Sequence, residues 1–210
     1  MRPNAPPDES LRPPLEALAE CDADIARAYE VCGLPPERSR APGFAGLLTI
    51  MTAQQVSAHA ARAIIGRLLA AADPLTPKTF LALDEAALKG VGFSRQKVRY
   101  GRVLAEDLLA GRIDLDVVAR LDDEAAIEQL VRVKGVGRWT AEIYLLFALR
   151  RPDVWPVDDL AVCAGVQRLK RLAERPSRDR MLEIAAPWRP HRSAAARFLW
   201  HFYHHPGVPD

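Results

Sequence analysis

Cysteine is scarce in this chain. Cys21, Cys32 and Cys163 are too few and too scattered among 210 residues for a disulfide framework or a zinc cluster, so reduced and mostly buried thiols are expected. Long apolar runs are missing too: none reaches the roughly 18 residues that mark a membrane-spanning helix. Residues 1–14 are proline-rich and polar, without the basic start and apolar middle of a secretory signal, and read as a disordered tail. A cytoplasmic protein off the membrane is expected. No segment alternates polar and apolar residues at a period of two for long enough to argue for a sheet. Nor is there an excess of one charge, since 29 Lys and Arg against 27 Asp and Glu leave a net charge of +2. Bulk charge alone therefore announces no nucleic-acid partner.

Distribution says more. Between Arg168 and Arg197 stand nine basic residues against only Glu174, Asp179 and Glu183, a candidate basic surface whose plainer alternative is a solvated arginine-rich face. A composition of 49% hydrophobic and 27% charged residues is that of a folded chain, with either one substantial core or two small lobes sharing an interface. Helical spacing covers 15–32, where Gly33-Leu34-Pro35-Pro36 stops it, and 44–53, apolar on nearly every side and so a core helix. The next helix runs to Ala72 with Ser57 as its cap, and Thr76-Pro77 is a cap followed by proline at the first helical position. About ten helices and no sheet make an all-α fold.

An internal echo follows. Leu83-Asp84-Glu85-Ala86-Ala87 precedes Gly90-Val91-Gly92, and Leu121-Asp122-Asp123-Glu124-Ala125-Ala126 precedes Gly135-Val136-Gly137, each leading into a further helix. The two turns are either two phosphate-binding hairpins or one such hairpin and one structural turn. Phe93-Ser94 suits phosphates less than Arg138 does, which favours the structural reading for the first. At the second, paired glycines permit close backbone approach, and the helix from Arg138 begins with open N–H groups. That is a ready phosphate site. About one helix later, after Pro152 and Pro156, Asp158-Asp159 head the helix 160–172. Taken alone, two aspartates there are ordinary helix caps.

Three motifs in this order, Gly135-Val136-Gly137-Arg138-Trp139-Thr140-Ala141, Trp155-Pro156-Val157-Asp158-Asp159-Leu160 and Trp188-Arg189-Pro190-His191-Arg192-Ser193, resemble the helix-hairpin-helix (HhH-GPD) DNA glycosylases, in particular the 3-methyladenine glycosylase II branch. The resemblance runs from about Phe44 onward. It implies a two-lobed helical fold with a DNA-binding cleft between the lobes, the central lobe covering about 57–150 and the second joining 15–56 to 151–210. It implies Asp159 as the essential carboxylate, leaving Asp158 to cap the helix. Such a carboxylate stabilises the oxocarbenium-like sugar or activates water against it.

A flipped base needs a pocket and the gap it leaves needs a plug. The resemblance places Trp139 and Trp200 at pocket positions, with Tyr144 and Trp155 near them in sequence. Ile143 stands where a tyrosine sits in the well-known relatives, so their base-stacking arrangement does not carry over. Bifunctional relatives hold a lysine at the position of Trp139; without an amine there, a monofunctional enzyme that leaves an abasic site is implied. Gln55 matches the residue that wedges into the stack. Gly135, Gly137 and Thr140 would give phosphate contacts through their N–H groups with Arg138 adding charge, and Arg192 and Ser193 would join the DNA-binding set. The related hairpins hold a monovalent cation, Na+ or K+, on main-chain carbonyls, here those of Val131, Val133 and Val136. The four-cysteine iron–sulfur loop of some branches is lacking. A monomer acting on damaged double-stranded DNA at the nucleoid is expected, with alkylated purines (3-methyladenine, 7-methylguanine) as substrates. These cationic bases leave without a strong acid, and no histidine lies between Glu128 and Val162. The rivals are a glycosylase for deaminated, mismatched or oxidised bases and a non-catalytic helix-hairpin-helix binding module.

Overall fold

The computed structural model describes residues 5–205, and apart from an isolated bridge between Pro7 and Pro36 their regular structure is helical. In chain order the helices are α1 (Arg12–Cys21), α2 (Ala23–Cys32), α3 (Phe44–Ala53), α4 (Ala58–Ala71), α5 (Pro77–Ala82), α6 (Glu85–Val91), α7 (Arg95–Leu109), α8 (Leu115–Val118), α9 (Asp123–Leu130), α10 (Arg138–Phe147), α11 (Leu160–Leu169), α12 (Arg178–Ala185) and α13 (Arg192–Tyr203). Local sequence fixes their starts. Asp22, Ser57, Asp84, Ser94, Asp114, Asp122 and Ser177 each accept a first-turn backbone N–H of the helix they precede. Those donors have no partner inside the helix. Thr76 and Thr79 form a reciprocal capping box with Pro77 inside it. No helix of the described residues is long and apolar enough to cross a membrane.

The chain divides into two compact units. One is Ser39–Leu149; the other, among the described residues, joins 5–38 to 150–205. The expected boundary at residue 57 is thereby corrected, because 39–56 belong with the central unit. Eight of the ten residues of α3 are buried, and a helix apolar all round needs neighbours all round, which α4, α7 and α10 supply. Phe80 fills the middle of this unit with ring centroids of Phe44 and Phe93 at 5.8 and 6.1 Å. The first glycine turn is structural in its contacts. Gly92, at φ +107, ends α6, and a β-carbon there would press on Ile64 and Arg67 of α4, while Arg67 Nε donates to the Val91 carbonyl at 2.8 Å.

In the second unit the expected disordered tail is corrected for residues 5–14; residues 1–4 lie outside the described residues. Asp8 N–H donates to the Pro35 carbonyl and Glu37 N–H to the Pro6 carbonyl, both at 2.8 Å, and the Asp8 carboxylate caps a 3-10 turn and pairs with Arg197 of α13. A proline-rich, polar stretch is held by a partner 189 residues away, which no local pattern announces. Asp22 is the other tie. It caps α2 and also accepts Lys170 Nζ at 2.7 Å and the Trp188 indole N–H at 2.8 Å. Burial alone would raise the Asp22 carboxyl, but the Lys170 and Trp188 hydrogen bonds outweigh it and hold the pKa below the ordinary value. The helix pair α11 and α13 crosses at Gly165, where a β-carbon would lie 3.0 Å from the Leu199 carbonyl oxygen. Of the thiols expected to be buried, Cys163 is, Cys32 is half-buried and Cys21 is exposed, since α1 leaves it on its solvent side.

Candidate functional site

The loop before α11 decides which aspartate becomes the cap. Val157 N–H donates to the Trp155 carbonyl at 2.8 Å and Asp159 N–H to the Pro156 carbonyl at 3.0 Å, so the turn closes on Asp159 and α11 starts at the next residue. The expectation that Asp158 caps the helix is corrected: Asp158 is half-exposed and pairs with Arg178 of α12. The carboxylate of Asp159 is only 8% exposed, and its Oδ1 accepts three N–H groups, from Ala161 at 3.0 Å, Val162 at 2.9 Å and the Trp200 indole at 2.9 Å. Two of these fix it to the positive end of α11 and the third to α13. Trp200 itself is buried. The sequence marked it as a pocket wall; what the structure adds is that its N–H orients the carboxylate. Beside it Leu160 is 69% exposed, a large apolar side chain on the solvent side of a helix start.

Trp155 and Trp188 meet edge to face at 5.5 Å. The Trp155 indole N–H is buried without a partner among the described residues, whereas that of Trp188 is held by Asp22. Arg192 and Ser193, expected among the DNA contacts, both hold neighbouring residues of the protein. The Arg192 guanidinium is 14% exposed and lies fork to fork on Asp153, with Nε to Oδ1 at 2.8 Å and Nη2 to Oδ2 at 2.9 Å. Ser193 Oγ accepts the Val154 N–H at 2.9 Å. Both brace the loop that leads to Asp159. The basic surface expected from local counting is reduced rather than removed, because Lys170, Arg178, Arg189 and Arg197 pair with Asp22, Asp158, Asp153 and Asp8, none of which lies in the 168–197 stretch, whereas Arg168, Arg171 and Arg175 stand together round one groove.

The hairpin and its surroundings lie in the Ser39–Leu149 unit. Val136 N–H donates to the Val133 carbonyl at 3.0 Å, and Gly135, at φ +92, passes so near Tyr100 that a β-carbon would sit 2.4 Å from the ring. Gly137, the residue before α10, has open space where its β-carbon would be and no side chain to cap the helix. The backbone at the start of α10 is therefore clear of side chains on the Gly137 side. Thr140 is buried, and its hydroxyl meets Gln54 Nε2 at 2.6 Å, while Lys97 Nζ donates to the carbonyls of Thr52 and Gln54 at 2.7 and 3.0 Å. These bonds tie the break after α3 to the hairpin. Gln55, next in line, is thrown outward, exposed, in the left-handed region at φ +56.

Arg138 forks onto Glu124 and also donates to Glu142 Oε1 at 3.0 Å, so its charge is partly neutralised within the protein. Trp139 is 37% exposed at the start of α10, and Ile143 is buried one turn on. Tyr144 is corrected as a pocket wall. It is fully buried, and its hydroxyl accepts the Gly43 N–H at 2.8 Å, which makes it a core residue; burial pushes its phenol pKa up. The carbonyls of Val131, Val133 and Val136 offer neutral oxygen donors without a carboxylate among them, a set suited to a singly charged hard cation. Val133 already accepts one N–H and keeps a second lone pair. Among the described residues no cluster of three or more His, Cys, Asp or Glu could hold a metal ion.

A model of the HhH-GPD superfamily, base excision DNA repair proteins, matches residues 48–190. DNA-3-methyladenine glycosylase 1 of Schizosaccharomyces pombe is 34% identical over 190 residues, 87% of this chain and 83% of the relative. The alkylbase DNA glycosidase-like protein mag2 of the same yeast is 30% identical, covering 85% of each. Among solved structures, the S. pombe 3-methyladenine DNA glycosylase (Mag1) in complex with abasic DNA superposes with a TM-score of 0.82 at 32% identity, over 90% of this chain and 95% of that one.

Proposed function

This chain belongs to the HhH-GPD superfamily of base excision DNA repair proteins, and from that premise we propose that it is a DNA glycosylase that hydrolyses the N-glycosidic bond of alkylated purines. The observation that carries the proposal is the Asp159 carboxylate, oriented by three N–H donors at a helix start where a capping role alone would need no indole from α13. Its charge stabilises the electron-poor sugar as the base departs, or activates water against it. Cationic 3-methyladenine and 7-methylguanine leave without a strong acid, and Trp139 supplies a partly exposed aromatic face that favours such a ring.

The uncapped start of α10 and the clear space beside Gly137 support a sequence-independent phosphate grip, as a damage scanner requires. For Arg138 to join that grip it exchanges the exposed Glu124 for phosphate, an exchange between two solvated pairs. The outward, left-handed Gln55 fits a plug for the space a flipped base leaves. The hairpin carbonyls of Val131, Val133 and Val136 would hold Na+ or K+, whose charge would offset that of a nearby phosphate. Trp139 brings no amine for a Schiff base, so the product is an abasic site with an intact strand. The protein works as a monomer on duplex DNA at the nucleoid.

The test is release of free base from methylated duplex. Wild type releases 3-methyladenine and 7-methylguanine faster than hypoxanthine, uracil or oxidised guanine, and Asp159→Asn loses activity by about 100-fold or more. No released base, or equal release by the variant, refutes enzymatic function and leaves a DNA-binding module.

A further inference from the structure

A groove of about 870 Å³ opens where α2, α11 and α13 meet, around the carboxyl end of α11. Its lining on α11 runs from Ala164 to Leu169, about 7.5 to 15 Å along the helix from Asp159 at 1.5 Å per residue, and Asp159 is not part of it. Ala28, Leu169 and Phe202 form a buried apolar floor, and exposed Val31 and half-exposed Tyr203 extend it to the surface. Four arginines, Arg27, Arg168, Arg171 and Arg175, stand round the rim. The one carboxylate lining the groove, Asp24, is already paired with Lys170 at 2.9 Å and with Arg27. Arg168 lies over the Phe202 ring at 5.7 Å and donates to the Tyr203 carbonyl at 3.3 Å, joining floor to rim. No ion pair holds Arg171 or Arg175 among the described residues, unlike most basic residues of this unit.

Arg171 adds a second signal. It sits at φ +51, in the left-handed position just past the end of α11, with Leu172 N–H donating back to the Gln167 carbonyl at 2.9 Å. Glycine is the unstrained residue for such a helix stop. An arginine there accepts backbone strain to place a guanidinium on the rim.

We propose that this groove docks an extended acidic segment of a partner protein, one that carries apolar side chains between its carboxylates. Excess positive charge on the rim calls for carboxylates, and the apolar floor calls for side chains that a phosphodiester strand does not offer. Nucleic acid is the outcome the experiment must separate.

Random ten-residue peptides displayed on phage are selected on the full chain and counter-selected on Arg171→Glu/Arg175→Glu. The expected consensus combines Asp or Glu with Leu, Phe or Trp. The synthesised consensus peptide then binds wild type saturably and the double variant at least about tenfold more weakly, with base release and duplex affinity unchanged. Arg171→Gly relieves the backbone, so it melts no lower than wild type and still loses peptide affinity. No enriched consensus, a consensus without acids, or binding indifferent to either variant overturns the proposal. A fall in duplex affinity as large as that in peptide affinity assigns the groove to nucleic acid and overturns it equally.

Discussion

The indole N–H of Trp200 and Oδ1 of Asp159 lie 2.9 Å apart, a bond between α13 and the first turn of α11 on an oxygen that already accepts two backbone N–H groups. Asn caps helices about as well as Asp, so Asp159→Asn should fold and melt near wild type while base release collapses. Trp200→Phe keeps the ring but removes the donor. It should lower the rate of base release about tenfold, chiefly in kcat, and cost about 2 kcal/mol of stability, a hydrogen bond to a charged acceptor. Single-turnover assays with thermal melts separate the two. An unchanged kcat in Trp200→Phe would show the indole to be packing alone.

The two hairpin glycines should behave differently. Gly135→Ala puts a β-carbon 2.4 Å from Tyr100 at φ +92 and should destabilise by about 2 kcal/mol or more. Gly137→Ala meets nothing within 4 Å and should fold as wild type. Its methyl group nonetheless stands where phosphate would approach the backbone, so duplex affinity should fall, as read by anisotropy at fixed salt. Undiminished affinity in a folded Gly137→Ala would move the phosphate site elsewhere.

Trp188→Phe and Trp155→Phe remove the same atoms from neighbouring rings. Only Trp188 loses a hydrogen bond, to Asp22, whereas Trp155 loses a buried N–H without a partner among the described residues. Urea denaturation should find Trp188→Phe worse by about 2 kcal/mol. Equal losses would mean that the Trp155 N–H has a partner, such as water.

Lys170 with Asp22 and Asp24 sets a pH window. Burial would lower the Lys170 pKa, but the bonds to Asp22 and Asp24 outweigh it and raise it. Its share of stability is therefore complete below the ordinary lysine value of about 10.4 and fades as pH rises through the raised one. Asp22, and Asp24 through its Lys170 hydrogen bond, are held low. Their share is complete above the ordinary carboxylate range and fades as pH falls through the lowered values. Lys170→Met should cost about 3 kcal/mol near neutral pH and flatten both arms of the stability profile. Persistence of both arms in the variant would place the coupling in other groups.

What could be read from the chain alone follows sequence distance. The all-helical class, the caps at Ser57 and Thr76, and the Gly135-to-Gly137 turn depend on residues within a few positions of each other. So does the motif that carries Asp159. The choice between Asp158 and Asp159 as cap was hidden, because it turns on which N–H the Pro156 carbonyl accepts. The partner of Arg192, Asp153, stands 39 positions earlier, out of reach of any local pattern. Asp8 and Arg197 hid each other in the same way, and Tyr144 passed for a pocket aromatic because its hydroxyl partner, the Gly43 N–H, lies 101 residues back. Resemblance supplied roles; only coordinates could say which of these side chains the protein already uses to hold itself together.

The unit carrying Asp159 draws α1 and α2 from one end of the chain and α11 to α13 from the other. A ribosome must therefore release Trp200 before that carboxylate can be gripped from all three sides, whereas the contiguous Ser39–Leu149 stretch is free to close earlier. During synthesis the amino-terminal helices wait, their apolar faces exposed, for partners translated last, and that interval is when the nascent chain is most open to chaperones and to aggregation.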